Sequence, residues 1–516
     1  HAAGRRAVDA DPVTSVGPRN LARLAEEAMD RRGDYRSLCF EGRWHGSAEL
    51  HERGKRLASA LVGLGVAPGD RVVVMAENSP DVPVAYQAIS RAGAVVTPAI
   101  FLLTAGDLRR ILVDSGASVV LASPHFRDVV DAAAEGVDTV RHVLSLEEAA
   151  SADADPLPIV PRADDDLAAL VYTGGTTGRS KGVMLTHANL WEAGRHGSDV
   201  GHVPGIVRSL TCLPLSHSYG LLVLGVGMHS PEPPESVLMR WFDARSWLEL
   251  AQEHRTQIAP VVPSMLYLLL AEPLEDYDLS ELRFVASGAA PLTPDAISEL
   301  ERRVPGVAIR EGYGLTESSA LATTNPPGRI RRGTVGVAVP GTEIRVVDDD
   351  GEGVPTGEPG EVCIRSDLVM SGYWDDPGLT AATLRDGWLH TGDVGRLDAD
   401  GYLSIVDRKK DLILRGGFNV YPRDIEEALV EHPAISGACV VGRPDPVHGE
   451  EVIGFVTLAP GVEASVEELL AFGKARLGGY KYPRQLTILE SLPLTPVGKV
   501  DRTALRELLT VEGGVG

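Results

Sequence analysis

Lysine is scarce in this chain. Of 49 basic side chains only seven are Lys, at positions 55, 181, 409, 410, 474, 481 and 499. The 72 acidic residues outnumber the bases and leave a net charge of −23. That balance excludes a general nucleic-acid binder, whose footprint is a basic face. It also excludes electrostatic capture by anionic membranes. Cysteine is sparse as well: Cys39, Cys212, Cys363 and Cys439 are scattered with no Cys-x-x-Cys spacing. Neither a zinc site nor a redox pair is predicted, and four thiols fit core positions in a reducing compartment, so the cytoplasm is the expected location. No run of eighteen apolar residues occurs, which excludes a transmembrane helix. The first residues include no Met and no apolar signal region, and read as an expression remnant or a disordered lead.

What is present points to an α/β enzyme. At 516 residues the chain exceeds one ordinary core, so two or more domains are expected. Residues 18–66 have helical spacing, interrupted by a short strand at 37–40. Residues 70–75 read as a buried strand, 81–93 as a helix, 94–98 as a strand, 104–115 as a helix and 118–122 as a strand. Strands alternating with helices predict a layered α/β domain with parallel pairing. Residues 147–166 are acidic and proline-bearing and read as an exposed connection. Residues 341–366 alternate apolar and polar around Gly and Asp turns, which predicts antiparallel β in a small barrel or sheet. Residues 421–516 read as helix, strand, strand, helix, strand: a small α+β lid.

The most informative stretch lies at 170–182, Leu-Val-Tyr-Thr-Gly-Gly-Thr-Thr-Gly-Arg-Ser-Lys-Gly. An apolar strand breaks into a loop rich in backbone donors and hydroxyls, suited to anionic oxygens. Lys181 adds a compact positive charge for phosphate, and a Lys kept in so Arg-biased a chain is needed as Lys. The spacing is not that of a Walker loop, because Gly178 is separated from Lys181 by two residues and Gly182 follows.

Further along, residues 209–221 read as a strand breaking into a loop that carries His217, Tyr219 and the flexible Gly220. Glycines at 225 and 227 then punctuate an apolar stretch, either opening space or allowing close packing. Residues 281–290 form a strand ending in Gly288, Ala289 and Ala290, where a flat ring or an acyl chain could approach the backbone; a helix cap follows at 291–294. At 310–318, Arg-Glu-Gly-Tyr-Gly-Leu-Thr-Glu-Ser, Tyr313 offers a face to a purine, Thr316 a hydroxyl to phosphate and Glu317 a hard oxygen to Mg²⁺. Asp393, in Trp-Leu-His-Thr-Gly-Asp, could accept from two ribose hydroxyls. Charges cluster at 407–411 between two apolar strands, which is natural at a domain junction.

These motifs, in this order, resemble those of the adenylate-forming superfamily, which includes acyl-CoA synthetases, luciferases and peptide-synthetase adenylation domains. The likeness covers essentially the whole chain. The usual phosphate loop there is Tyr-Thr-Ser-Gly-Thr-Thr-Gly-x-Pro-Lys-Gly; this chain has Gly174 for Ser and Ser180 for Pro. The resemblance implies an N-terminal adenylation domain at 1–407, a hinge at 408–411 and a mobile C-terminal lid at 412–516. It implies nucleotide contacts from Thr173, Gly174, Gly175, Thr176, Thr177, Gly178, Lys181, Gly288, Ala289, Ala290, Glu311, Gly312, Tyr313, Gly314, Thr316, Asp393 and Arg408. His217, Tyr219, Gly220, Gly288 and Gly312 would line the acyl pocket, Lys410 would be the pivot, and Gly416 and Gly417 the thiol channel. Lys499, in Leu-Thr-Pro-Val-Gly-Lys-Val-Asp-Arg, would reach in for adenylation. Lys499, Lys181, Thr316 and Glu317 would form the catalytic set, with ATP, Mg²⁺ and CoA as cofactors and substrates.

The chemistry implied is attack of a carboxylate on the α-phosphate of ATP, then thioester formation with CoA, with rotation at Lys410 between the two steps. The form Gly416-Gly417-Phe418-Asn419 resembles bacterial fatty acyl-CoA ligases, which favours a medium- or long-chain aliphatic acid. An aryl acid and a carrier protein as acceptor remain alternatives, as do a luciferase-type oxygenase and a nucleotide-binding protein without turnover. Self-association as a homodimer stays open.

Overall fold

The computed structural model describes residues 15–173, 180–290, 292–416, 418–477, 481–494 and 500–512. Two large sheets carry the N-terminal part. The first orders the strands Gly372–Tyr373, Lys181–Thr186, Leu167–Thr173, Val95–Ala99, Arg71–Met75, Val119–Ala122 and His142–Ser145. Its last five run parallel, and the Lys181–Thr186 and Gly372–Tyr373 strands add antiparallel on one side. The parallel strands are Val-rich and buried on both faces, as a helix-covered sheet requires.

The second sheet has nine strands. At its centre Ala308–Tyr313, Phe284–Ser287, Ile258–Val261, Arg208–Thr211, Glu235–Leu238 and Arg36–Phe40 lie side by side and parallel. The predicted parallel α/β layering is therefore present twice. A third sheet, built from Glu343–Val347, Gly360–Arg365, Trp388–Leu397, Leu384–Arg385 and Leu403–Arg408, is antiparallel throughout, as the alternation at 341–366 predicts.

The C-terminal part forms a fourth sheet from Phe418–Val420, Ile413–Arg415, Gly449–Leu458, Ile435–Asp445 and Gln485–Ile488, with helices Pro422–Val430, Val466–Arg476 and Arg502–Glu512. It has its own apolar core around Ile413, Ile425, Val440, Val452 and Leu469. The fold is thus a large α/β part with a small α+β part after it. No helix among the described residues is long and apolar enough to cross a membrane.

One local reading needs correction, and two are refined. The phosphate-type loop joins two antiparallel strands, with Thr173 paired to Lys181, and the helix His187–Gly201 begins only after the second. Tyr219 and Gly220 are not in a loop but in the first turn of the helix Ser218–His229, whose N-terminus is capped by the His217 ring accepting from the Tyr219 N–H at 3.2 Å. Residues 147–166 run mainly as an exposed to half-buried connection, as expected. They include the end of the short helix Leu146–Ala150, and the backbone N–H groups of Leu157 and Val160 donate to Lys55 and Arg91.

Gly225 and Gly194 explain the glycines of the apolar helix. The helices Ser218–His229 and His187–Gly201 pack so closely that a Cβ on Gly194 would lie 2.8 Å from the Gly225 carbonyl. Close packing, not open space, is the role of Gly225.

Candidate active site

The C-terminal ends of the parallel strands bring the sequence motifs together, the usual place for a ligand in such sheets. Ser218 Oγ and Thr316 Oγ1 lie 3.1 Å apart, which joins the His217 segment to the second motif. The Tyr219 hydroxyl donates to the Ala286 carbonyl at 3.2 Å, and its ring lies 3.5 Å from where a Gly288 Cβ would be, with the Gly312 carbonyl alongside. Burial raises the Tyr219 pKa, so this hydroxyl stays a donor. Tyr219, Gly288 and the Gly312 carbonyl therefore lie together, with His217 at the start of the helix that carries Tyr219. Gly220 touches the Pro214 carbonyl so closely that any side chain would clash, so its role is in packing the turn. Ala289 and Ala290 follow the strand Phe284–Ser287 exposed, with Ala289 at φ 69°.

A second group is built around Asp393, which is buried. Its Oδ2 accepts from the Tyr313 hydroxyl at 2.7 Å, and its Oδ1 forms an ion pair with Arg408, 2.9 Å from Nε. Asp393 and Arg408 are register partners on adjacent strands. Arg408 and Tyr313 are thus brought to the same carboxylate, which retains capacity for further donors. Gly314 lies against the Ala320 backbone and admits no Cβ. Glu311 is half-buried at the strand end; burial pushes its pKa up to about 7, against the pull of Arg423 and a backbone hydrogen bond from Leu292.

The third group joins Lys181 and Glu317. Glu317 Oε1 accepts from the Tyr373 hydroxyl at 2.8 Å, and Lys181 Nζ sits over the Tyr373 ring, 5.6 Å from its centroid. Burial and the Glu317 carboxylate raise the Tyr373 pKa. Glu317 Oε2 has no hydrogen-bond partner among the described residues. A carboxylate oxygen without such a partner is a hard donor of the kind that Mg²⁺ takes. Sequence reasoning missed Tyr373 and Ser218. The one signal for Tyr373 was an adjacent Tyr-Trp pair at 373–374 after a glycine, in a chain that is only 5% aromatic.

At the junction, Asp411 is buried and accepts from Arg506 Nη2 at 2.9 Å, with Arg502 Nε 4.0 Å away. Arg408 thus faces Asp393 on the large part, while Asp411 is held by the last helix. Lys410 lies between them without an ion pair among the described residues; partial burial lowers its pKa, and Arg408 and Arg506 act in the same direction. Arg423, at the start of the helix Pro422–Val430, donates its N–H to Asp407 at 2.9 Å and Nη1 to the Ile405 carbonyl at 2.6 Å. Gly416 lies in a turn of the C-terminal sheet, its N–H donating to His448. No described contact joins it to the nucleotide motifs. Gly174, Gly175, Thr176, Thr177, Gly178, Gly417 and Lys499 lie outside the described residues.

A hairpin-borne loop with a lysine, a carboxylate open to a metal, and a buried acid beside a tyrosine define a nucleotide-activating ligase with a small C-terminal domain. The model of the AMP-binding enzyme family matches residues 25–374 and that of its C-terminal domain matches 424–499, so the chain belongs to this family. It is 37% identical to a feruloyl-CoA synthase of Amycolatopsis over 95% of this chain and 97% of that protein. It is 33% identical to a long-chain-fatty-acid–CoA ligase of Bacillus subtilis, covering 95% and 94%. It superposes on ATP-bound MatB from Rhodopseudomonas palustris with a TM-score of 0.88 and 33% identity, covering 94% of this chain and 98% of that one. The chain is an AMP-forming acid–CoA ligase that takes ATP, Mg²⁺ and CoA.

Proposed function

We propose that this ligase activates a flat aromatic carboxylic acid. The observation that carries the reading is the Tyr219 ring, fixed by its hydroxyl to Ala286 and lying beside Gly288 and Gly312. The ring lies against Gly288, whose missing side chain leaves room beside the ring for a planar group. The close packing of Gly225 on Gly194 removes one argument for a wide acyl tunnel. The likeness to a feruloyl-CoA synthase agrees with the reading, and the likeness to a long-chain-fatty-acid ligase keeps the aliphatic acid expected from the sequence as its competitor.

In this reading, domain 1–407 holds acid and nucleotide, 408–411 is the hinge and 412–516 is the lid. Lys181 and the loop before it hold the terminal phosphates, Thr316 contacts the α-phosphate and Asp393 holds the ribose. Glu317 holds Mg²⁺, which supplies charge neutralisation for the departing pyrophosphate. Lys499 approaches the α-phosphate as the acid oxygen attacks and pyrophosphate leaves. The reacting centre is anionic on both sides, so placed cations matter more than a base. Rotation at Lys410 then clears the way for the CoA thiol, through a channel that includes Gly416 and Gly417.

A pyrophosphate-release assay across hydroxycinnamates, benzoates and C8–C18 fatty acids tests the substrate class. The expected outcome is a kcat/KM at least about tenfold higher for an aryl acid. The reverse order would return the reading to a fatty acid.

A further inference from the structure

We propose that Tyr373 is a positioning residue that holds the Glu317 carboxylate with its hydroxyl and the Lys181 ammonium on its ring, keeping these opposite charges apart for one Mg²⁺–triphosphate. This rests on the reading of Lys181 and Glu317 given above. The backbone makes the case first. The strand Gly372–Tyr373 pairs with Lys181–Thr186, Tyr373 opposite Val183. The Trp374 N–H donates to the Gly182 carbonyl at 2.8 Å, and the Met370 N–H donates to the Glu317 carbonyl at 2.9 Å. Residues 370–374 are thus bonded to both motifs that must meet at the phosphates. The strap is itself anchored, since the Trp374 indole donates to the Asp114 carbonyl at 3.0 Å and the Tyr373 N–H donates to Thr380.

The side chain completes the arrangement. An ammonium and a carboxylate free to meet in a half-buried site would pair, and each would then be blocked from its own ligand. Here the two form no ion pair among the described residues. The tyrosine takes one oxygen of Glu317 and leaves the other open. A neutral partner that orients a metal-binding carboxylate without neutralising it tunes its affinity for the metal.

Calorimetric titration of ATP, with and without Mg²⁺, into the full-length protein tests the role without using turnover. In Tyr373→Phe, which keeps the ring, ATP affinity without Mg²⁺ is expected to stay within about twofold of wild type, while the gain on adding Mg²⁺ shrinks about tenfold. In Tyr373→Leu, which removes the ring as well, ATP affinity without Mg²⁺ falls about threefold in addition. Equal losses with and without Mg²⁺ in Tyr373→Phe, or none in either, would overturn the proposal. Glu317→Gln separates the two levels. If that variant keeps the full Mg²⁺ gain, the metal reading of Glu317 fails, and the proposal fails with it. If it loses the gain while Tyr373→Phe keeps it, only the role of Tyr373 is refuted.

Discussion

Asp393 shows what a single residue holds here. One buried carboxylate accepts from the Tyr313 hydroxyl and pairs with Arg408, so it fixes an aromatic ring and a cation. Asp393→Asn loses the charge that both donors face, a loss of about 1.5–3 kcal/mol for hydrogen bonds to a charged group. The KM for ATP is expected to rise at least about tenfold in steady-state kinetics, with a smaller change in the KM for the acid. Glu311 makes a different prediction. Its pKa is raised from 4.5 to about 7, so between those values the folded protein holds a proton that the unfolded chain has released. Stability should therefore fall as pH rises through that window. The unfolding free energy of wild type relative to Glu311→Gln should drop by about 1.4 kcal/mol per pH unit there. Denaturant melts at pH 5 and pH 7 check it; a gap that does not change between them would contradict the raised pKa. Asp393, Glu317 and Lys181 stood out in the sequence because each is a charge set in a Gly- and Thr-bearing motif. Tyr373 did not, because a tyrosine in a short edge strand carries no such mark until its hydroxyl is seen against Glu317.

The elements were legible where periodicity was strong. Strands 71–75, 95–99 and 119–122 and the helices between them match the sequence reading within a residue or two, since Val-rich runs and 3.6-residue spacing report buried strands and amphipathic helices directly. Misreadings fell where pairing depends on distant residues. Lys181 reads as part of the loop, and only the ladder of Lys181–Thr186 to Leu167–Thr173 makes that segment a strand. The helix Ser218–His229 is apolar all round, so no periodic face announced it. Its packing makes a testable pair. Gly194→Ala places a Cβ 2.8 Å from the Gly225 backbone, so the two helices must part. A destabilisation of about 1–3 kcal/mol is expected, with reduced acid activation because Tyr219 rides on the displaced helix. Gly227→Ala, on the same helix with nothing within 4 Å, should instead stabilise by up to about 1 kcal/mol. Thermal melts of the two variants check the contrast, and similar shifts in both would refute it.

Across the whole molecule, the two-part layout was readable from the order of motifs and from the charge cluster at 407–411. The contacts that join the parts were not, because Arg423 meets Asp407 and Ile405 through tertiary docking that no local pattern encodes. If the small part turns about Lys410 as proposed, the two half-reactions should separate. Lys499→Ala should lower ATP–pyrophosphate exchange by about 10²-fold or more, as loss of a charge-stabilising group does. Thioester formation from preformed acyl adenylate should survive. Equal loss of both would argue against a turning lid.

The grip of Arg506 and Arg502 on Asp411 reaches 95 residues along the chain, from the final helix back to the joint. Residues 502–512 are therefore no disposable tail. Clipping them would leave the Asp411 carboxylate buried without its partners and uncover the core that Leu505 and Leu509 close, so a protein shortened at that end should lose the order of its small part first.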